Sequence, residues 1–129
     1  MTHKILIIDD DPLLREIAVE LLGDAGHECR VAEDGLLGLA SLEAHPADLV
    51  LLDMIMPNMD GVEALGQIKA RWPDLPVIVM SGGARTITLQ SLLRMAAALG
   101  ADEVIPKPLR RETLLPLAAR LLTRGSQAA

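Results

Sequence analysis

With 129 residues, the chain fits one domain, long enough to bury roughly two-thirds of the surface its unfolded form exposes and too short for a second core. Half of the residues are hydrophobic, yet Phe and Tyr are absent and Trp72 is the one aromatic, so the core must be built from Leu, Ile, Val, Ala and Met. A formal net charge of −6 and a pI near 4.9, with basic residues scattered and only Arg110-Arg111 adjacent, argue against a nucleic-acid or anionic-membrane surface. The single cysteine, Cys29, excludes an intrachain disulfide and fits a reducing compartment. The apolar run Ile5 to Ile8 is cut off by Asp9-Asp10-Asp11, so it is neither a signal h-region nor a membrane span, and a cytoplasmic location is expected.

Along the chain, short apolar runs alternate with longer segments of helical period, the pattern of repeated βα units and a parallel sheet. Lys4 to Ile8 reads as the first strand, closed by Asp9-Asp10-Asp11-Pro12, with Asp11 as helix N-cap and Pro12 at the first helical position. That helix runs to about Asp24 and stops at Gly26. Glu28 to Ala32 is the second strand, and Asp34-Gly35 opens a second helix that ends near His45-Pro46, where proline disfavours continuation. Leu49-Val50-Leu51-Leu52 is the third strand, aliphatic without alternation and therefore buried on both faces, and it ends on Asp53.

After Met54-Ile55-Met56-Pro57-Asn58-Met59, Asp60-Gly61 starts a third helix with Val62, Leu65 and Ile68 inward, ended by Trp72-Pro73. Residues 76–80 form strand four, followed by the loop Ser81-Gly82-Gly83-Ala84-Arg85. Thr86 or Thr88 caps a fourth helix that Gly100 stops. Residues 102–106 form a fifth strand, placed at a sheet edge because Pro106 cannot donate to a ladder. Lys107-Pro108 leads into a last helix over about 110–122, so that one domain covers 1–124 and 125–129 is a frayed tail.

Right-handed crossovers carry all the βα loops to one edge of the sheet, which gathers Asp9, Asp10, Asp53, Ser81 and Lys107 around a common cleft. Three carboxylates held close together repel one another unless a cation neutralises them or protons are retained. Mg²⁺ suits such a site, since it takes one or two protein carboxylates, keeps water and completes its octahedron with phosphate oxygens. Lys107 supplies a point charge and Ser81 a hydroxyl donor for phosphoryl oxygens, leaving Asp53 as the nucleophile of a metal-assisted phosphoryl transfer.

The stretches Ile5-Leu6-Ile7-Ile8-Asp9-Asp10-Asp11-Pro12, Asp48 to Gly61, Val77 to Gly82, and Gly100-Ala101-Asp102 to Lys107-Pro108, in that order, resemble the receiver domain of two-component response regulators. The resemblance covers essentially the whole chain. It implies a flavodoxin-like, doubly wound α/β fold: a five-stranded parallel sheet of order 2-1-3-4-5 with five helices. It also implies Asp53 as phosphoacceptor, Asp10 as direct and Asp9 as water-mediated Mg²⁺ ligand, and the backbone carbonyl of Ile55 in the metal shell. Ser81 and Lys107 hold the phosphoryl oxygens, and the Lys107-Pro108 bond is cis. The implied partners are a histidine kinase or histidine phosphotransfer protein, with no DNA-binding domain and no membrane contact. No effector domain is expected after Leu122, so output is expected through contacts with an unknown protein target, on the face of the fourth and fifth helices and the fifth strand, or through onward transfer of phosphate. Self-phosphorylation and its reversal are the only catalysis implied.

Two departures stand out from the family pattern. Val104 occupies the position of the usual aromatic switch residue, and the chain has no Phe or Tyr to replace it. The segment from Gly82 to Leu89 is longer than is typical, and Arg85 beside a Gly-Gly pair either orders around an arriving phosphoryl group or belongs to a longer surface loop. Ile55 and Gly83 occupy positions that in the family influence the attacking water, and neither carries a group to orient it. Slow self-dephosphorylation is therefore expected: phosphoryl loss followed after donor removal measures it, and a half-life of seconds contradicts it.

The remaining candidates keep plain readings. His3, His27 and His45 stand on separate elements without metal-ligand spacing. Met54, Met56, Met59 and Met80 suit core or loop packing, with Met56 and Met59 alternatively on a partner surface. Trp72 packs a helix end. Two rival functions are a small haloacid-dehalogenase-like phosphatase with Asp9 as nucleophile, and a non-phosphorylated adaptor that keeps the fold for binding alone, at which only Val104 hints.

Overall fold

The computed structural model describes residues 2–54, 61–82, 94 and 97–128, with 124–128 described for their backbone only. Strands β1 (Lys4–Ile8), β2 (Glu28–Ala32), β3 (Leu49–Asp53), β4 (Val77–Ser81) and β5 (Glu103–Pro106) form one parallel sheet in the order β2-β1-β3-β4-β5. Helices α1 (Pro12–Asp24), α2 (Gly35–Ala44), α3 (Gly61–Arg71) and α4 (Arg111–Ala128) complete the described elements. The predicted helix ahead of Gly100 falls mostly outside the described residues, although Arg94, Ala97 and Ala98 are helical. Four of the five expected helices are thus described as elements.

The unbroken aliphatic strands are explained by two cores, one on each face of the sheet. Side chains alternate across a strand, so Leu6, Ile8, Val50, Leu52, Val77 and Val79 join Leu39, Leu65 and Ile68 of α2 and α3. Ile5, Ile7, Leu49, Leu51, Ile78 and Met80 turn the other way, onto Leu14, Ala18 and Leu22 of α1 and Leu114, Ala118 and Leu121 of α4. All five residues of β3 and of β4 are buried. At roughly 2 kcal/mol per buried aliphatic side chain, burial is the dominant favourable contribution to the fold. Met54 and Met80 are core residues of opposite faces. Met56 and Met59 lie outside the described residues.

Local signals set the helix ends. Asp11 accepts from the Leu13 amide at 3.0 Å and Asp34 from the Leu37 amide at 2.9 Å, satisfying amides that have no partner inside their helices. Past the end of α1, Gly26 has φ +91°, a left-handed conformation that side chains disfavour. At the other end of α2, Arg30 of β2 donates to the carbonyls of His45 at 2.6 Å and Pro46 at 3.2 Å, and to Ser41 Oγ at 2.7 Å.

Two element boundaries differ from expectation. Strand β4 is shifted one residue onward, to Val77–Ser81, because Ser81 still pairs with Pro106. Helix α4 continues to Ala128, past the expected end near Leu122. A helix already nucleated extends at low cost, and one glycine such as Gly125 costs only about 1 kcal/mol. It also contains Pro116 without breaking, held by the burial of Leu114, Ala118 and Leu121. Among the described residues, no helix is long and apolar enough to cross a membrane.

The fold also joins two histidines that stand apart in sequence. Parallel pairing of Lys4 with Glu28 brings the residues just before them together, and the His3 and His27 rings lie 5.6 Å apart. Burial first, and the neighbouring His3 second, lower the pKa of His27 below its usual value of 6.5. A base with a depressed folded pKa binds fewer protons in the native state, so its stabilising effect is full above the unfolded pKa and is lost as pH falls through about 6.5. Chemical denaturation at pH 7.5 and pH 5.5 should therefore show a smaller acid loss of stability in His27→Gln than in wild type. Equal losses in the two proteins contradict it.

Candidate functional site

The sheet topology aims five chemically active side chains at one edge. Asp9 and Asp10 follow β1, Asp53 ends β3, Ser81 ends β4 and Lys107 follows β5. The registers Ile8–Leu52, Asp53–Met80 and Ser81–Pro106 bring these strand ends level with one another, and the ladder continues one step further, with the Lys107 amide donating to the Ser81 carbonyl at 2.8 Å. The Lys107-Pro108 bond is cis, as the family resemblance implies.

Carboxylate oxygens of Asp9, Asp10 and Asp53 all lie within 4.8 Å of one another. Asp9 is fully buried, Asp53 nearly so at 5% exposure, and Asp10 is exposed. Lys107 Nζ reaches into the cluster, 3.0 Å from Asp9 Oδ2 and 3.3 Å from Asp53 Oδ1. Burial alone would lower the lysine's pKa, but its contacts with Asp9 and Asp53 outweigh that and raise it, so Lys107 is a cation at neutral pH. One cation among three carboxylates leaves the cluster with surplus negative charge.

Asp9 is held at every polar atom but one. Its amide donates to the Ala32 carbonyl at 3.1 Å, its carbonyl accepts from Arg15 Nη1 at 2.9 Å, and Oδ1 accepts from the Asp11 amide at 2.9 Å. Oδ2 is paired in charge with Lys107 but lacks an aligned hydrogen-bond donor. A buried anionic oxygen in that condition, beside two further carboxylates, suits a hard divalent cation that takes oxygen ligands.

Ser81 is buried, its Oγ making a long 3.5 Å contact with the Ile105 carbonyl. Two glycines let the chain close on the site. The Gly61 amide donates to the Met54 carbonyl at 3.0 Å, and a Cβ at Gly61 would sit 2.3 Å from both the Asp53 carbonyl oxygen and Met54 Cα. A Cβ at Gly82 would lie 2.8 Å from Lys107 Cβ. These glycines are adjacent in sequence to site motifs, but nothing in the sequence says what approaches them. Arg15 was likewise no candidate, since an arginine on a predicted helix carries no signal for a contact six residues back.

Asp9, Asp10, Asp53, Ser81 and Lys107 therefore all lie at one edge. Ile55 and residues 83–89 of the expected Gly82 to Leu89 loop are outside the described residues. Val104 pairs with Val79 in the sheet and packs, partly buried, on the core layer of α2 and α3.

The fold defines a doubly wound α/β domain of flavodoxin-like topology whose carboxyl edge gathers three carboxylates, a hydroxyl and an ammonium group. The model of the response regulator receiver domain matches residues 5–119, and the chain belongs to that family. Response regulator MprA of Mycobacterium sp. (strain KMS) is 35% identical over 126 residues, which are 98% of this chain and 53% of that protein. The chain spans about half the length of the curated relatives it matches. A CheY-like receiver domain protein from Methanospirillum hungatei JF-1 superposes with a TM-score of 0.90 at 28% identity over the whole of both chains (100% of each). NtrX from Brucella abortus superposes with a TM-score of 0.89 at 31% identity, covering 99% of this chain and 28% of that one. Neither the phosphatase nor the adaptor reading is favoured by these similarities.

Proposed function

We propose that Asp53 accepts a phosphoryl group from a phosphohistidine of a histidine kinase or phosphotransfer protein, and that the modified domain signals through contacts with another protein. The observation that carries this reading is the meeting of Asp53 with the carboxylates of Asp9 and Asp10 within 4.8 Å and with Lys107 Nζ at 3.3 Å. A carboxylate oxygen of Asp53 attacks phosphorus as the phosphorus–nitrogen bond of the donor breaks, and the leaving imidazole keeps the electron pair and takes up a proton. Lys107 carries charge to a phosphoryl oxygen, moving from two carboxylates towards the transferred group. The Ser81 hydroxyl donates to a second oxygen.

Asp10 and Asp53 hold Mg²⁺ directly in this proposal, Asp9 through water, and the carbonyl of Ile55 completes the protein's share. When bound, the ion neutralises charge that builds on the phosphoryl oxygens. Cys29 as a free, partly buried thiol is compatible with a cytoplasmic setting. Intact mass after incubation with Mg²⁺ and a small phosphodonor tests the reading. A phosphoryl adduct is expected. A folded protein that gains no such mass would sustain the adaptor reading instead.

A further inference from the structure

We infer that Arg15 is a positioning residue for the metal ligand Asp10, acting through the peptide bond that joins Asp9 to Asp10. This inference rests on the reading of the acidic edge as a Mg²⁺ site. The two acids are held very differently. Asp9 is buried and bonded through its amide, its carbonyl and its carboxylate. Asp10 is exposed, and among the described residues no donor is hydrogen-bonded to its carboxylate. Where that carboxylate points is therefore decided by the backbone that carries it.

That backbone begins at the Asp9 carbonyl, beyond the last paired residue of β1, and the carbonyl accepts from Arg15 Nη1 at 2.9 Å. Arg15 is fixed in turn in the first turn of α1, where its amide donates to the Asp11 carbonyl at 3.1 Å. Helix α1 starts at the Asp11 cap and Pro12, so Arg15 reaches back across the strand-to-helix turn and fixes the plane of the peptide preceding Asp10. A guanidinium suits this role because it stays charged and rigid at any working pH. Without it, that peptide can rotate and Asp10 samples orientations away from Asp9 and Asp53.

Arg15 also brings a positive charge near a cation site, and the two roles predict opposite signs. If only its charge mattered, its removal would tighten Mg²⁺ binding by relieving repulsion. If it positions Asp10, its removal weakens binding, by about tenfold for a typical residue that orients a metal ligand.

The test is Mg²⁺ titration by calorimetry of wild type, Arg15→Met, Arg15→Lys, Asp10→Asn and the double variant Arg15→Met with Asp10→Asn, each checked for fold by circular dichroism. We expect Kd about tenfold higher in Arg15→Met, a partial recovery in Arg15→Lys, and under twofold further change when Arg15→Met is added to Asp10→Asn, because the clamp then has no ligand to position. Unchanged or tighter binding in Arg15→Met overturns the inference. So does a full tenfold loss added to Asp10→Asn, since Arg15 would then act elsewhere. A wild type that binds no Mg²⁺ refutes the site itself, which is a different failure.

Discussion

Asp53→Asn is expected to abolish phosphoryl uptake while leaving a folded and, without divalent cations, more stable protein. Uptake is lost because an amide oxygen is a far poorer nucleophile than a carboxylate. Stability rises because wild-type Asp53 is a nearly buried member of a cluster of three carboxylates, where like charges oppose one another. The substitution removes the Lys107 contact at 3.3 Å but leaves Lys107 its closer partner, Asp9 at 3.0 Å. We expect a gain of about 1 kcal/mol in urea denaturation with a chelator present. Saturating Mg²⁺ should reverse the order, because a ligand at a hundred times its Kd stabilises the protein that binds it by about 2.7 kcal/mol. An Asp53→Asn protein that still acquires a stable phosphoryl group places the acceptor elsewhere. One that is less stable than wild type in chelator contradicts the account of carboxylate repulsion.

The second large effect is structural. Gly61→Ala should cost about 3 kcal/mol or more, since the added methyl would meet main-chain atoms of Asp53 and Met54 at 2.3 Å, and backbone cannot turn aside as a flexible side chain can. The displaced residue is the proposed phosphoacceptor, so phosphoryl uptake should fall along with stability. Gly66→Ala is the internal control. It lies in the same helix, its nearest outside atom is Leu99 Cδ2 at 4.0 Å, and replacing a mid-helix glycine there should stabilise by about 0.5–1 kcal/mol. Urea denaturation of both variants decides the matter. A Gly61→Ala protein within about 0.5 kcal/mol of wild type would falsify the close approach.

Much of the site was legible because each of its members interrupts an apolar run. Asp9 cuts off Ile5 to Ile8, Asp53 ends Leu49 to Leu52, and Lys107 follows Pro106. Polar groups that end consecutive buried strands must share an edge once the crossovers have one hand. The edge position of β5 was legible for a similarly local reason, the missing amide of Pro106. Arg15, Gly61 and the His3–His27 pair were not, because each depends on what another part of the chain does. No local pattern marks a guanidinium that turns back to a carbonyl or a glycine that faces a main chain. The end of α4 lies beyond the expected Leu122 for a further reason: turn-favouring residues at a terminus weaken a helix without forbidding it.

The sequence by itself determined the alternation of strands and helices, the two-faced burial of β3 and β4, and which side chains meet at the carboxyl edge. Those properties follow from periodicity and from which residue types end a strand. Only the tertiary structure decided how the charges are shared: that Lys107 lies between Asp9 and Asp53, and that Asp9 is buried with its carbonyl bonded to Arg15 while Asp10 is exposed. The physical reason is range. Periodicity acts over a few residues, whereas ion pairing and close approach act over a few ångströms between segments that register and crossover bring together.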